Sequence, residues 1–359
     1  MTRLLGCLIG LAALLPALVR AEPYLAVDQG FKCVACHVNP TGGGLRNAFG
    51  AVFTQNTLPA TRLPESVPTW SGRLLDVLRV GTDLRASSTR TSVPNQPTQR
   101  EHGLDQWRAY VDLQLIPDIA GVYLDEQLRP GQPLRQEGYL RLTTPDQRFY
   151  AKAGQFYLPF GWRLQDSTTF VRSLSGINMA SPDKGVELGL ETEHWSVQLA
   201  ASNGPGNVGP ITGNQRTAQA VYVQPDWRAG LALAHTRSSA GNRMATGVFG
   251  GLRTGPLAWL GELDLVGDSG FPEGRRRQLA ALGEVNWKVR QGHNLKYSAE
   301  LLDPDRDVSH DHKVRHSLLY ELTPLPYVQL RTGLRRWGGI PQNDVDNRRL
   351  MFVELHLFM

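Results

Sequence analysis

Residues 105 to 118, DQWRAYVDLQLIPD, alternate along their length: Trp107, Ala109, Val111, Leu113 and Leu115 share one parity, while Arg108, Tyr110, Asp112 and Gln114 share the other. Side chains of an extended chain point alternately to opposite faces, so this segment predicts a strand lying between two unlike surroundings. The pattern recurs from Trp70 onward in GRLLDVLRVGTDL, IAGVYLDEQL, GYLRLTT, RFYAKAGQFYL, GVELGLETE, WSVQLAAS, TAQAVYVQ, RAGLALAHT, MATGVFGGL, LAWLGELDL, LAALGEVNWKV, LKYSAELL, VRHSLLYEL, YVQLRTGLRRW and RRLMFVELHLFM. The count is sixteen strands. Most are near the length of about 9 to 11 residues that crosses a bilayer when tilted.

The connections alternate as well. Tight turns are expected at Ile116-Pro117-Asp118, Pro145-Asp146, Glu193-His194, Pro225-Asp226, Gly255-Pro256, Gln291-Gly292 and Pro324-Leu325-Pro326. Between them fall longer loops rich in Gly, Ser, Asn, Asp and Pro, at residues 87–104, 162–184, 203–215, 238–243, 303–312 and 338–346. An outer-membrane barrel has short periplasmic turns and longer external loops, and an even strand count returns both ends to the periplasm. A soluble β-sandwich also alternates. It does not explain the last strand, where Met351, Val353, Leu355, Leu357 and Met359 run as an apolar stripe to the chain end, with Phe358 penultimate. The expected fold is therefore all-β: a 16-stranded antiparallel transmembrane β-barrel over residues 71–359.

The first residues, MTRLLGCLIGLAALLPALVRA, have a basic start, an apolar run from Leu4 to Val19 and a small-residue exit. That reads as a cleaved signal peptide over residues 1–21, too short in its apolar part to span a bilayer as a helix. Net charge is +5, and +3 once Arg3 and Arg20 leave with the leader. The balance is mild, with no basic tail or aromatic-interleaved patch, so nucleic acid is not expected as a partner. Removing the leader removes Cys7 and leaves Cys33 and Cys36.

Those two cysteines lie in FKCVACHVNPTGGGLRNAFG, residues 31–50. A pair at this spacing in an exported chain also suits a disulfide, a redox dithiol or half a zinc site. The adjacent His37 points to haem c: two thiols reach the two vinyl groups, and the neighbouring imidazole binds the iron. One covalent haem c is expected on a short, partly helical segment over residues 22–58. A proline-rich linker follows at 59–70. In LRNAFGAVFTQN, Phe49 and Phe53 fall four apart on one helical face, where they cover a haem edge or simply pack on the barrel wall. Arg46 is placed to reach a haem propionate, or is a solvated charge. Gly42-Gly43-Gly44 suits a tight reversal.

From Val38 to Pro68 there is no histidine or methionine. A sixth iron ligand then comes from the barrel or is absent. Lumen-facing parity on the last strand gives Leu350, Phe352, Glu354, His356 and Phe358, which makes His356 a candidate. Met179 qualifies if its loop folds inward. About 45 residues are too few to bury a haem in a core of their own, so the barrel is expected to complete the pocket and the segment to plug the lumen.

Two stretches resemble known families. Gly154-Gln155-Phe156, Pro159-Phe160-Gly161 and Asp183-Lys184-Gly185 resemble the phosphate-selective porin O and P type, which implies a sixteen-stranded porin. Tyr24-Leu25-Ala26, Gly30, Cys33, Cys36 and His37, followed by Thr41, Gly44, Arg46 and Phe49-Gly50, are similar to the head of the fused monohaem cytochrome-porins of iron-oxidising bacteria. That resemblance implies a Gram-negative outer-membrane protein, its N-terminus periplasmic or in the lumen. It would conduct electrons between extracellular iron and a periplasmic carrier as an iron:cytochrome oxidoreductase. Outer-membrane lipid and the barrel-assembly machinery would be its other partners. The alternative is an anion-preferring porin with the segment as plug, gate or redox sensor, in which basic residues such as Arg141 and Lys152 line the lumen. No catalytic triad, paired-carboxylate site or nucleotide loop is present in the sequence.

Overall fold

The structure is a computed structural model and describes residues 22–64, 66–204 and 213–359; the leader lies outside the described residues. Among the described residues three helices, α1 (Pro23–Gln29), α2 (Ala48–Asn56) and α3 (Phe170–Ser175), accompany seventeen strands. The strands are β1 (Arg73–Leu75), β2 (Leu78–Ser92), β3 (Gln99–Ile116), β4 (Ala120–Arg129), β5 (Leu134–Thr143), β6 (Phe149–Phe156), β7 (Asp183–Glu191), β8 (Trp195–Ser202) and β9 (Gly213–Val223). They continue with β10 (Trp227–Ser238), β11 (Gly241–Thr254), β12 (Leu257–Phe271), β13 (Gly274–Arg290), β14 (His293–Asp303), β15 (Lys313–Leu325), β16 (Val328–Gly338) and β17 (Arg349–Phe358).

Each strand from β2 to β17 is antiparallel to the next, and β17 returns to pair with β2, from Arg349 opposite Ser92 to Phe358 opposite Asp83. Sixteen strands therefore close into one barrel without a free edge. The first expected strand, GRLLDVLRVGTDL, divides: β1 is a three-residue piece that folds back on β2. The seven expected tight turns all join strands at one end of the barrel. At the other end the strict alternation with long loops fails. The β10–β11 and β12–β13 connections are as short as the turns opposite, and residues 87–104 are mostly strand. The excursion there is made by lengthened hairpins, up to the 18 residues of β3, which stay paired because backbone pairing needs no apolar stripe.

Hydrophobicity is inverted relative to a soluble protein. Leu113, Leu188, Leu231 and Val353 face out and are exposed, while Lys152, Arg315 and Glu321 face in and are buried. Trp195, Trp227, Trp259 and Trp287 are exposed towards the turn end, as in the aromatic girdle of a membrane barrel. Inside, buried charges are paired: Lys152 with Glu187 at 2.7 Å, Arg108 with Asp125 at 3.1 Å, Arg315 with Glu300 at 2.5 Å. No helix among the described residues is long and apolar enough to cross a membrane.

Two stretches of chain contact the inward face of the barrel. Residues 22–58 meet inward side chains on many strands around the ring: Glu22 pairs with Lys296 of β14 at 2.7 Å, Lys32 with Glu191 of β7 at 2.5 Å, and the Tyr24 hydroxyl donates to Glu321 of β15 at 3.2 Å. Tyr123 of β4 accepts from the Leu45 amide, and Asn39 donates to Glu137 of β5. From the loop end, residues 157–182 fold inward. Their helix α3 lies against β12, β13 and β14, its backbone at Phe170 bonded to Glu300 and the Arg172 side chain paired with Glu262.

Candidate functional site

Cys33, Val34 and Ala35 form a single 3-10 turn, with the Cys36 and His37 amides both donating to the Cys33 carbonyl. The chain then reverses through Gly42, Gly43 and Gly44, all at positive φ, and returns so that Arg46 pairs with His37 and the Val38 amide donates to the Leu45 carbonyl. Only glycine takes three such positions in a row without strain. At Gly44 a β-carbon would also overlap the Tyr123 hydroxyl.

Asn47 ties this turn to the next helix. Its side-chain oxygen caps α2 by accepting from the Gly50 amide at 2.9 Å, and its amide donates to the carbonyls of Val34 and Ala35 at 3.1 and 3.0 Å. Gly50 then lies directly on the Cys36 carbonyl, where no β-carbon fits. The motif is thus clamped between a reversal and a capped helix.

The clamped turn faces a cavity of about 920 Å³, its open mouth included. Cys33, Cys36, His37 and Arg46 line it from the segment, together with Phe31 and Phe53. Trp162, Arg163, Gln165 and Met179 line it from the inward loop, and Arg228 from β10. The two thiols are free, and Cys33 is exposed at the cavity wall. Burial pushes the Cys33 thiol up and the Cys36 thiol up to about 11, so both are neutral.

His37 is the telling residue. It is 3% exposed; among the described residues no side chain pairs with its ring, which lies within reach of the Gly43 and Gly44 backbone. Burial, joined by the guanidiniums of Arg46 and Arg163, pushes its pKa down to about 3 and keeps the ring neutral. A neutral imidazole beside two thiols is the donor set that haem c requires. The residues present fit the group. Three arginines and a single carboxylate, Glu22, line the same space, a balance suited to an anionic cofactor edge.

Other expected residues fall elsewhere. Arg46 lines the cavity, buried, with its guanidinium 5.9 Å from the Phe358 ring. Phe49 does not line it: the ring is 48% exposed and packs on Phe31 at 5.4 Å, while Phe53 and Phe31 reach the cavity instead. His356 faces the lumen as its parity predicts, yet it is not among the lining residues. Its Nε2 is 3.1 Å from Asp83 and its Nδ1 3.1 Å from Gln329. Met179 is brought in, because its loop folds inward. Arg163 and Arg228 were not anticipated. Arg228 has the inward parity of β10, but its contacts with the Ala26 and Phe31 carbonyls are not visible in a strand pattern.

No family model matches the chain, and no curated protein matches it. Solved structures do. OmpT of Vibrio cholerae in its trimer form superposes with a TM-score of 0.60 at 12% identity, over 79% of this chain and 100% of that one. An anion-selective porin from Comamonas acidovorans gives 0.60 at 10% identity, over 78% and 98%. OprB of Pseudomonas putida gives 0.60 at 11% identity, over 78% and 94%. What the chain shares with these outer-membrane porins is the fold, a closed antiparallel barrel of sixteen strands.

Proposed function

We propose that this chain is a porin-type outer-membrane protein whose lumen is filled by a segment carrying one covalent haem c, and that it passes electrons rather than solutes. The observation that carries the reading is His37: buried and neutral in the wall of a cavity, beside two free thiols at the attachment spacing. Cys33 and Cys36 would form the thioethers and His37 would hold the iron; bound there, the haem supplies a one-electron carrier. Arg46, Arg163 and Arg228 would face its carboxylates, and Phe31, Phe53 and Trp162 would keep water from it. The N-terminal segment seals the periplasmic half of the lumen, the inward loop the outer half. Extracellular ferrous iron on one side and a periplasmic carrier on the other are the exchange partners proposed.

The second reading, an anion-preferring porin gated by the same segment, is supported by the barrel's likeness to solute porins, one of them anion-selective. The likeness to porins favours this reading over electron transfer. Against it, two basic residues expected to attract anions are committed: Lys152 to Glu187 and Asn39, Arg141 to Asp112 and the Val38 carbonyl. Haem staining of purified outer membranes and a reduced-minus-oxidised spectrum with added ferrous iron test the first reading. A haem-free membrane band, or steady anion currents through the purified chain in planar bilayers, overturns it in favour of the second.

A further inference from the structure

We infer that Met179, delivered by the inward-folded loop, is the sulfur ligand on the iron opposite His37. The inference rests on the haem reading above. A haem tethered to Cys33 and Cys36 must occupy the cavity those residues line, so its second axial ligand must come from that cavity's wall. Outside the attachment motif, three lining side chains carry an atom that iron accepts readily. The Glu22 carboxylate is held by Lys296 and Arg331, and the Lys32 amine by Glu191 and the Thr192 carbonyl. The third is the Met179 thioether, 8% exposed and tied to no polar partner among the described residues. No second histidine lines the cavity, and His356 is committed to Asp83 and Gln329. Of the other described methionines, Met244 and Met351 are exposed on the outer face, and Met359 sits beside Phe358.

The loop also holds Met179 in place. Its carbonyl accepts from Arg108 of β3 at 3.3 Å, and the next amide is bonded to the Asn178 side chain at 2.7 Å. The terminal methyl already rests on the glycine reversal that follows the motif: a β-carbon on Gly43 would come within 2.9 Å of it. A side chain with three rotatable bonds and a fixed backbone swings its sulfur over a short arc at little cost. Thioether ligation opposite histidine gives a low-spin iron with a raised potential.

The test uses the full chain, matured in outer membranes and purified in detergent, as wild type, Met179→Leu and Met179→His. Wild-type ferric protein is expected to be low-spin with the far-red charge-transfer band of a thioether–iron bond. Met179→Leu keeps its covalent haem, loses the band, turns high-spin and binds carbon monoxide when reduced. Met179→His is low-spin without the band and has a lower potential. Haem-loaded Met179→Leu with the wild-type spectrum overturns the ligand assignment alone. Wild-type chain without haem overturns the reading on which the assignment rests.

Discussion

Asn47 shows how one side chain couples fold to chemistry. Its oxygen caps α2 and its amide grips the two carbonyls between the cysteines, so the attachment turn and the helix behind it are held as a unit. Losing a cap of this kind costs about 0.5–2 kcal/mol. Asn47→Ala is expected to lower the haem-to-protein ratio of purified chain several-fold, whereas Asn47→Asp keeps the cap acceptor and loses only the donated bonds. An intermediate ratio for the aspartate variant, measured by haem absorbance against protein, checks the division. The helical face of Phe49 and Phe53 was legible in the sequence; the cap at Asn47 was not. Nor was its grip on Val34 and Ala35, because the sequence does not say which loop folds over which. His37 shows the same limit: its proposed role follows from the two cysteines before it, but its burial in the cavity wall becomes visible only in the folded chain.

At the scale of elements, the lumen segment is pinned by ion pairs, and the one at its start responds to pH. Burial by itself would raise the Glu22 carboxyl, but Lys296 and Arg331 outweigh burial and hold its pKa at about 2. A carboxylate with a folded pKa below its unfolded value stabilises the seated state fully above the unfolded value, near 4.5, and loses that contribution as pH falls through 2. Glu22→Gln should therefore conduct more than wild type in planar bilayers at pH 7, and the difference should close between about pH 4 and 2. A constant difference down to pH 2 would mean that the carboxylate does not anchor the segment. The inward loop was harder to read, because Gly, Ser, Asn and Asp marked residues 162–184 as an external connection. A signal was present in Phe160, Trp162, Leu164, Phe170, Val171 and Leu174, six apolar residues that the structure buries. Alternation finds strands and has no purchase on an irregular segment with an apolar face.

For the whole molecule, period-2 parity decides which solvent each side chain meets. The last strand shows it: Met351, Val353 and Leu355 face out, while Phe352, His356 and Phe358 are buried inside. Val353→Arg is expected to destabilise the barrel by about 2–4 kcal/mol, as for a charge set near the bilayer midplane, read as a lower urea midpoint in the heat-modifiable gel shift. The same parity makes the interior polar and lets two separate pieces of chain pack against it, each pairing charges that would otherwise be buried alone. On the proposed reading, a lumen closed in this way would separate electron passage from solute passage. Vesicles carrying the haem-loaded chain and a trapped, impermeant electron acceptor should reduce that acceptor when an impermeant donor is added outside, while a trapped small anion stays inside. Cys33→Ser/Cys36→Ser chain, with the fold kept and the covalent haem gone, should do neither. Anion release by both proteins at equal rates would assign the barrel to solute transport, with the N-terminal segment a gate that does not hold it shut.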